Sequence, residues 1–344
     1  MPGFFLASLG REWLPRVVVV SRGGELAGIV YAKERAILGW PLGLIYADAS
    51  FNNMVVAAHA EREAVLRTAI HRLFACRRIQ GARIVVPLDG FQAAVLTEAI
   101  SSMRLEAGFA PVERHACLKL PACYEEFLET LGGKTRKNFR YYVRKSQMEG
   151  HRYFERLSMA ELRDAAWRLR RKCSIATSSS ALTRALTWLA ESGERILAVG
   201  LRHPDGRWLS VAAGWYGPAS ATVALQLNDD QSFPRYSLSV VLRAQLIQSL
   251  IRQKVESLWF WAGASEPLAR YATYLRTTAV YMDRPAPVWK AIRYLALKAI
   301  PLLPKRLAGD IVWVSRTAEP ASISQQERDP TPIDDGQPKN GRQV

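Results

Sequence analysis

The segment Leu131 to Gly150, LGGKTRKNFRYYVRKSQMEG, constrains the fold more than any other stretch, because it is a basic helical segment between two strand-rich halves. Gly132 and Gly133 predict the end of a preceding helix, and Thr135 is a suitable N-cap for a new helix that ends at Gly150. Its narrow apolar stripe consists of Phe139, Tyr142 and Val143. The sequence therefore predicts an amphipathic helix at the junction of two halves.

This predicted helix carries a row of positive charge. Between Lys134 and Lys145 there are six basic residues and no acidic one. Basic residues four apart share one helix face, and three of them build a ridge about 12 Å long at about 1.5 Å rise per residue. Because like charges at this spacing repel, the ridge predicts a bound anion or an acidic neighbour; a solvated basic face is the alternative. The candidate acceptor-binding or anion-binding residues are Lys134, Arg136, Lys137, Arg140 and Arg144.

The order of elements around this helix resembles the hinge of a known protein group. Strand Arg114 to Leu120 (RHACLKL) is followed by the short acidic helix Tyr124 to Leu131 (YEEFLETL) and then by G-K-x-R-K-N-x-R-x-x-x-R-K-x-x-x-x-G. This order resembles the tandem-GNAT acyltransferases, which include Fem-type peptidoglycan bridge aminoacyltransferases and acetyltransferase-like proteins of bacterial exopolysaccharide gene clusters. The resemblance implies an α/β (α+β) fold of two GNAT-like domains, each a mixed, mostly antiparallel sheet flanked by helices.

Length and local patterns divide the chain in the same way. A chain of 344 residues exceeds the roughly 250 to 300 residues at which single cores stop growing. We expect a first GNAT-like domain at 1–122, a helical linker with the basic hinge helix at 123–192, and a second GNAT-like domain at 193–316. The tail 317–344 has no aromatic residue and many polar ones, so we expect it to be disordered.

Strand and helix patterns predict the order of elements within each half. In the first half we expect a hairpin at 16–32, a helix at 53–77 after a glycine-rich and proline-rich stretch, a strand at 82–88, a helix at 92–103 and a strand at 114–120. In the second half we expect a strand at 151–157, helices at 159–173 and 181–191, strands at 195–201, 208–216 and 221–228, a helix at 236–254, a strand at 257–263, a helix at 266–275 and a strand at 277–282. Val223, Leu225 and Leu227 alternate with polar or small residues, which predicts one polar strand face able to line a groove.

The charge balance indicates an anionic partner. Lys and Arg number 47 against 31 Asp and Glu, a formal charge of +16. CoA phosphates, RNA, an acidic lipid surface and lipid-linked sugar diphosphates all remain open. No stretch approaches the roughly 18 to 20 apolar residues of a membrane span, and MPGFFLASLGREW lacks the features of a signal peptide. We expect a cytoplasmic protein. The basic segment Pro287 to Leu307 could contact the inner face of the membrane, or it could pack on the second domain.

The cysteines and histidines indicate no metal site. Four cysteines show no C-x-x-C pair and no histidine at metal-ligand spacing, so we expect buried, reduced thiols. The sequence also has no G-x-S-x-G, Walker A or H-E-x-x-H motif and no carboxylate-rich metal loop, which argues against hydrolase, NTPase and metalloenzyme activities.

The resemblance places an acyl donor at one helix start. In GNAT proteins the pyrophosphate of acyl-CoA is held by backbone N–H groups where a helix follows the fourth strand, a position at which free amides and the helix dipole favour an anion. The matching segment here is Phe233 to Ser239 (FPRYSLS), and an ordinary N-cap is the alternative. The usual R/Q-x-x-G-x-G/A signature is absent, since 219–262 contains no glycine. The implied cosubstrate is acyl-CoA, with acetyl-CoA expected first, and the candidate cofactor-binding residues are Arg235, Tyr236, Ser237, Leu238 and Ser239.

Acyl transfer requires a base for the nucleophile and a proton donor for the leaving group. Glu266 and Tyr271 occupy positions where GNAT members place such groups, and the resemblance implies that they are catalytic. Helix-dipole compensation for Glu266 and core packing for Tyr271 are the alternatives. We therefore expect an N- or O-acyltransferase that acts on an amine or hydroxyl of a cell-envelope or exopolysaccharide precursor, with the acceptor between the halves near the basic helix. A Fem-type transferase using aminoacyl-tRNA and an inactive protein that binds anionic glycans are the alternative hypotheses.

Overall fold

Strands and helices alternate along the chain in a computed structural model that describes residues 5, 9, 13–37, 39–49, 54–175, 177–233, 237–261, 264 and 268–285. The strands are β1 (Trp13–Arg22), β2 (Glu25–Ile37), β3 (Trp40–Asp48), β4 (Val55–Ala57), β5 (Gly81–Pro87), β6 (Glu106–Lys119), β7 (Arg152–Phe154), β8 (Ile196–Arg202), β9 (Trp208–Tyr216), β10 (Ser220–Asn228), β11 (Ser257–Phe260) and β12 (Thr273–Asp283). The helices are α1 (Arg62–Ala75), α2 (Phe91–Ser102), α3 (Tyr124–Thr130), α4 (Gly133–Met148), α5 (Met159–Leu169), α6 (Ser179–Ala190) and α7 (Leu238–Arg252). Short 3-10 turns lie at His59–Glu61, Gly193–Arg195 and Leu268–Tyr271.

All these strands belong to one mixed sheet. Its order is β1-β2-β3-β5-β12-β6-β11-β10-β9-β8-β7, and β4 pairs with β2 beside this path. Neighbours are antiparallel except β3 with β5 and β10 with β11, which are parallel. Each parallel pair is joined through a helix, α1 in the first half and α7 in the second, as a parallel connection requires. The mixed, mostly antiparallel sheet flanked by helices that the resemblance implies is confirmed.

The last strand joins the two halves. We expected it to complete the second half, but β12 lies between β5 and β6 of the first half and pairs with both. β6 in turn pairs with β11 of the second half through Ala116 to Lys119. The sheet therefore continues across residue 122, and the division into two domains there stays a prediction.

Among the described residues, three hydrophobic cores cover the sheet. The first-half core packs α1 and α2 on β2, β3, β5 and β12. In the second half, Leu197, Val199 and Ala212 face a core under α3, α4 and α7, the α4–α7 core. The alternate residues Ala198, Val211 and Ala213 face a core under α5 and α6, the α5–α6 core. Because neighbouring residues of a strand point to opposite faces, α4 and α7 cover one face of this half and α5 and α6 the other.

The basic hinge helix forms where the sequence predicts it, with a corrected start. α4 begins at Gly133 with Gly132 as N-cap, before Thr135, so Thr135 lies within its first turn. Its end matches the prediction: Gly150 has φ +72°, and the N–H groups of Gly150 and His151 donate to the carbonyls of Gln147 and Ser146. This pair of bonds is a Schellman motif, which needs the left-handed conformation that glycine adopts at least cost.

Several other expectations need correction. The predicted helix at 53–77 begins only at Arg62, because Val55–Ala57 forms β4 against β2. The glycine-rich and proline-rich stretch is β3, since its buried Leu44 and Ile45 pack inward. The predicted helix at 266–275 is, in its described part, the turn Leu268–Tyr271 followed directly by β12. In these cases sheet pairing overrides local propensity.

Two further features bear on the sequence-based expectations. All four cysteines are free, but Cys76 and Cys123 are exposed, so the expectation that all four are buried is wrong for this pair. Among the described helices, none is long and apolar enough to cross a membrane. Pro287 to Leu307 and the tail 317–344 lie outside the described residues.

Candidate functional site

The central feature of the second half is a parallel pair of strands that separates. β10 and β11 are in register only from Ser220 to Val223 and from Ser257 to Phe260. The N–H of Trp261 makes a last bond to the carbonyl of Val223, at 2.9 Å. β10 continues to Asn228, and no described strand pairs with this edge beyond that point. Beyond this bond, the edge of β10 that faces β11 has no described strand partner, and such an edge can bond a ligand carrying amide groups.

A β-bulge sets which side chains of β10 point to each face of the sheet. Val223 pairs with Gly214 of β9 but Leu225 pairs with Ala213, so Ala224 is an extra residue. The simple alternation that we expected is therefore wrong: Val223 faces the α4–α7 core, while Leu225 and Leu227 face the α5–α6 core. A Cβ on Gly214 would lie 1.6 Å from the carbonyl oxygen of Thr222, so the strands approach closely only because residue 214 is glycine.

The bulge turns Gln226 and Asn228 toward α7. Arg243 of α7 donates from Nε to Oε1 of Gln226 at 2.9 Å, and its guanidinium stacks over the ring of Phe260 at 5.2 Å. Burial lowers the pKa of Arg243 to about 10, so this guanidinium remains cationic at neutral pH. Ser210 donates to Oδ1 of Asn228 at 2.6 Å. The side of β10 that faces α7 thus combines a held cation with amide groups.

The loop after β10 is fixed by a buried carboxylate. Asp229 is fully buried and accepts from Nζ of Lys172 at 2.8 Å and from the backbone N–H of Ser232 at 3.0 Å. Burial by itself raises the pKa of Asp229, but these hydrogen bonds outweigh it and the pKa is lowered. Next to it, Asp230 accepts from the backbone N–H and the hydroxyl of Ser174 at 2.8 and 2.7 Å. These bonds tie the start of the loop to the segment after α5.

This loop leads to the predicted donor-binding residues. Ser237 is the N-cap of α7, but its side chain makes no capping bond; its carbonyl accepts from the N–H groups of Val240 and Val241. In the described part of the chain, the N–H groups of Leu238 and Ser239 have no acceptor. The structure therefore brings Ser237, Leu238 and Ser239 together at a helix N-terminus, where an anion is favoured. Arg235 and Tyr236 lie outside the described residues.

Of the two predicted catalytic residues, only Tyr271 is described. Its hydroxyl oxygen accepts from the N–H of Gly132, the N-cap of α4, at 2.8 Å. At the other end of α4, His151 contacts the ring of Phe233, in the loop before α7, with a centroid distance of 6.4 Å. The sixteen residues of α4 span roughly 24 Å at about 1.5 Å per residue. Tyr271 and the predicted donor-binding loop thus lie at opposite ends of α4, and Glu266 lies outside the described residues.

Three half-buried tryptophans lie at the point where β10 and β11 separate. Trp188 of α6, Trp215 of β9 and Trp261 are in edge-to-face contact, with ring centroids 4.7 to 5.7 Å apart. The buried His115 of β6 lies 5.1 Å from the ring of Trp261. Burial lowers the pKa of His115 more than the Asp48 carboxylate raises it, so this imidazole is neutral at pH 7. This aromatic cluster lies on the α5–α6 side, opposite α7.

The basic residues of α4 form one solvent-facing surface. Phe139 is fully buried in the α4–α7 core, so the opposite face points outward. Arg140 forms an ion pair with Glu125 of α3 at 2.6 Å, which supplies the acidic neighbour that the charge ridge predicts. Among the described residues, Lys134, Arg136, Lys137 and Arg144 have no ion pair. α4 packs beside α7 and not between the two halves of the sheet, and its role in acceptor binding stays a prediction.

Comparison with solved structures agrees with this geometry. The structure of FemX matches with a TM-score of 0.59 at 11% identity and covers 81% of this chain and 90% of that one. L-PGS from Bacillus licheniformis matches with a TM-score of 0.52 at 11% identity, covering 80% and 86%. The chain has the Fem-type GNAT fold.

A third solved structure also matches this fold. The C-terminal domain of a putative lysylphosphatidylglycerol synthetase from Agrobacterium fabrum matches with a TM-score of 0.52 at 12% identity, covering 83% and 88%. No protein-family model and no curated protein matches the sequence. At these identities the likeness establishes the fold, and the residues of the site have to carry the function.

Several residues of this candidate site were not predicted from the sequence. Lys172 and Asp229 are far apart in the chain, and only the acidic pair at 229–230 directly after a predicted strand marks a special loop. The tryptophans come from three separate elements; the alternation of Trp259 and Trp261 in SLWFWAG is the one local signal. The sequence shows that Gln226 and Asn228 are polar, but the face of the sheet to which their side chains point depends on the bulge.

Proposed function

We propose that this protein is an acyltransferase that binds an activated acyl donor in the groove between β10 and β11 and transfers the acyl group to an amine or hydroxyl. The observation that carries this proposal is that β10 extends beyond its pairing with β11 and leads through a loop into α7, whose first N–H groups have no described acceptor. The unpaired edge of β10 suits the amide groups of an extended donor arm, and the start of α7 suits its phosphate groups.

We propose acyl-CoA as the donor. Its pyrophosphate would be bound by the N–H groups of Leu238 and Ser239, with Arg235 as a charge-assisted donor. Arg243 adds positive charge deeper along α7, one helical turn from Ser239. The ion pair of Lys172 with the buried Asp229 would hold the preceding loop in place, so that the amides are oriented before the donor binds.

The proposed acceptor is a saccharide of a cell-envelope or exopolysaccharide precursor. The tryptophan cluster supports this class, because aromatic faces pack well against the apolar faces of sugar rings, and it lies across the sheet from the donor loop. A base has to reach the attacking group of the acceptor. Glu266 is the proposed base and Tyr271 the proposed proton donor for the leaving group.

One observation favours a second donor. The donor-binding loop has no glycine, while the basic residues of α4, four of which have no ion pair within the described part of the chain, form a surface on the same side of the sheet as α7. A longer polyanion, such as aminoacyl-tRNA, would contact both. The matching Fem-type structure and the lysylphosphatidylglycerol synthetase domain support keeping this alternative.

Thermal unfolding with candidate donors tests the proposal. A ligand that binds only the folded protein stabilises it by about 2.7 kcal/mol at a hundredfold excess over Kd, so acetyl-CoA is expected to raise Tm. Ser239→Glu places a negative charge at the proposed pyrophosphate site and should abolish this shift. The control, Ser249→Ala near the far end of α7, should retain it. An unchanged shift in Ser239→Glu would move the donor elsewhere, and a shift with aminoacyl-tRNA alone would favour the second donor.

A further inference from the structure

The outer face of α4 has a composition that acyl transfer does not explain. Lys137, Tyr141, Arg144 and Met148 are spaced by four, three and four residues, so they form one stripe along the helix. Met148 is 81% exposed and Tyr141 is 57% exposed. Among the described residues, Met148 is the most exposed large apolar residue. Cationic and apolar side chains thus alternate along the most exposed line of the helix.

The rest of this face is strongly cationic. Lys134, Arg136, Arg140 and Lys145 lie on either side of the stripe, and no acidic residue occurs from 131 to 148. Two ion pairs reduce the charge, Arg140 with Glu125 and, at 3.9 Å, Lys145 with Glu149, but all four side chains are well exposed. Exposed pairs of this kind contribute little and are readily exchanged for another anion.

The opposite face of α4 is already occupied. Phe139 is fully buried, and Tyr142 and Val143 pack against the α4–α7 core. This inner face is therefore unavailable to a partner unless the α4–α7 core unfolds. Any partner has to bind the outer face. Its cationic residues offer broad electrostatic attraction, and Tyr141 and Met148 offer a shallow apolar contact.

We propose that the outer face of α4 docks onto the surface of an anionic lipid bilayer. The cationic side chains would contact lipid phosphates, while Met148 and Tyr141 enter the region between the headgroups and the acyl chains. Nucleic acid fits this surface less well, because the exposed Met148 at the C-terminal end of the stripe has no favourable contact with a phosphate backbone. The docking itself does not depend on the reaction; the corollary, that the acceptor is carried by the membrane, rests on the proposed function.

Cosedimentation of the full chain with lipid vesicles tests the docking. Vesicles with about 30% phosphatidylglycerol in phosphatidylcholine should bind the protein, and pure phosphatidylcholine vesicles should not. Raising the salt to about 1 M shortens the Debye length to about 3 Å and should release it. The double substitution Lys137→Gln with Arg144→Gln should weaken partitioning about 30-fold, which corresponds to about 2 kcal/mol at 1.4 kcal/mol per tenfold.

Two further variants make the result specific. Met148→Ser removes the apolar contact, leaves the charge unchanged and should weaken partitioning about fivefold. The matched control, Arg163→Gln with Arg184→Gln, removes two exposed charges from α5 and α6 on the opposite face of the sheet and should leave partitioning within about twofold of the wild type. Unchanged Tm values confirm that these variants are folded.

The outcomes separate the docking from the reaction. Equal weakening in the α4 variant and in the α5–α6 control would overturn the proposal in favour of non-specific attraction by net charge. Failure to bind anionic vesicles, with tight binding of an RNA oligonucleotide instead, would overturn it in favour of a nucleic-acid surface. Ser239→Glu should sediment like the wild type, so a failure of the donor site and a failure of docking give different results.

Discussion

Replacing Lys172 by Met tests the ion pair that holds the loop before α7. The Asp229 side chain is fully buried and the Lys172 side chain is 38% exposed, with 2.8 Å between Nζ and Oδ2. Removing one partner of a fully buried pair costs about 3 to 5 kcal/mol, because the other charge remains without compensation. Here the lysine is partly solvated and Asp229 retains the Ser232 N–H bond. We therefore expect a loss of about 2 to 3 kcal/mol in the free energy of unfolding.

The pH dependence of this loss has a defined sign. In the wild type the hydrogen bonds from Lys172 and Ser232 outweigh burial and lower the pKa of Asp229 below its usual value of 3.8. The pair therefore stabilises the fold above that pH and ceases to do so as the pH falls through the lowered pKa. In the variant, burial is opposed less and the carboxyl group protonates at higher pH. The deficit of the variant should shrink from about pH 7.5 to about pH 4.

Urea unfolding followed by circular dichroism at both pH values measures this effect. The matched control is Lys145→Met, because Lys145 is equally exposed at 39% but its partner Glu149 is 43% exposed; this change should cost less than about 0.5 kcal/mol. A loss at Lys172 no greater than that of the control would refute the reasoning, and so would a deficit that grows on acidification. The variant should also show a smaller donor-induced shift in Tm.

Three other changes follow from the geometry. Gly214→Ala should cost about 3 kcal/mol, because the new Cβ would lie 1.6 Å from the Thr222 carbonyl oxygen, whereas Gly133→Ala, with nothing within 4 Å, should stabilise by about 0.4 to 1 kcal/mol; thermal unfolding distinguishes them. Burial lowers the pKa of His151 below 6.5, so the native protein resists protonation and the wild type should lose up to about 1.4 kcal/mol of unfolding free energy per pH unit between about pH 7.5 and pH 5.5. His151→Gln should lose less over this range, and identical pH profiles would contradict this. Tyr271→Phe should cost about 0.5 to 1 kcal/mol through the lost bond to Gly132, and a fall in transfer rate beyond tenfold at unchanged Tm would indicate a role in the chemistry.

The residues that were predicted from the sequence belong to elements with a strong local signal. α4 combines paired glycines, a cationic row and a terminal glycine, and it forms within two residues of the predicted bounds. β9, with turn residues on both sides, matches its predicted bounds. The position of Ser237 at the start of α7 follows in the same way, because the polar and proline-containing segment interrupts the apolar pattern on either side.

The parts that were missed depend on distant segments. β4 and β3 lack a clear local pattern and become strands because β2 and β5 offer them backbone partners. The direction of Gln226 could not be predicted, since one extra residue at Ala224 reverses the alternation that follows it. The pairing of Lys172 with Asp229 joins residues 57 positions apart, and no periodicity relates them.

The sequence by itself determined most of the strands and helices and the basic hinge helix, because those properties depend on turn residues, caps and apolar periodicity within a few residues; the GNAT-like order was implied by the resemblance. Tertiary structure alone decided that β12 crosses into the first half, that β10 and β11 separate after four paired residues, and that α4 turns Met148 and Tyr141 outward with its cations. The physical reason is that backbone pairing and burial are settled between segments far apart in the chain, where each group takes the partner that leaves the fewest buried polar atoms unpaired.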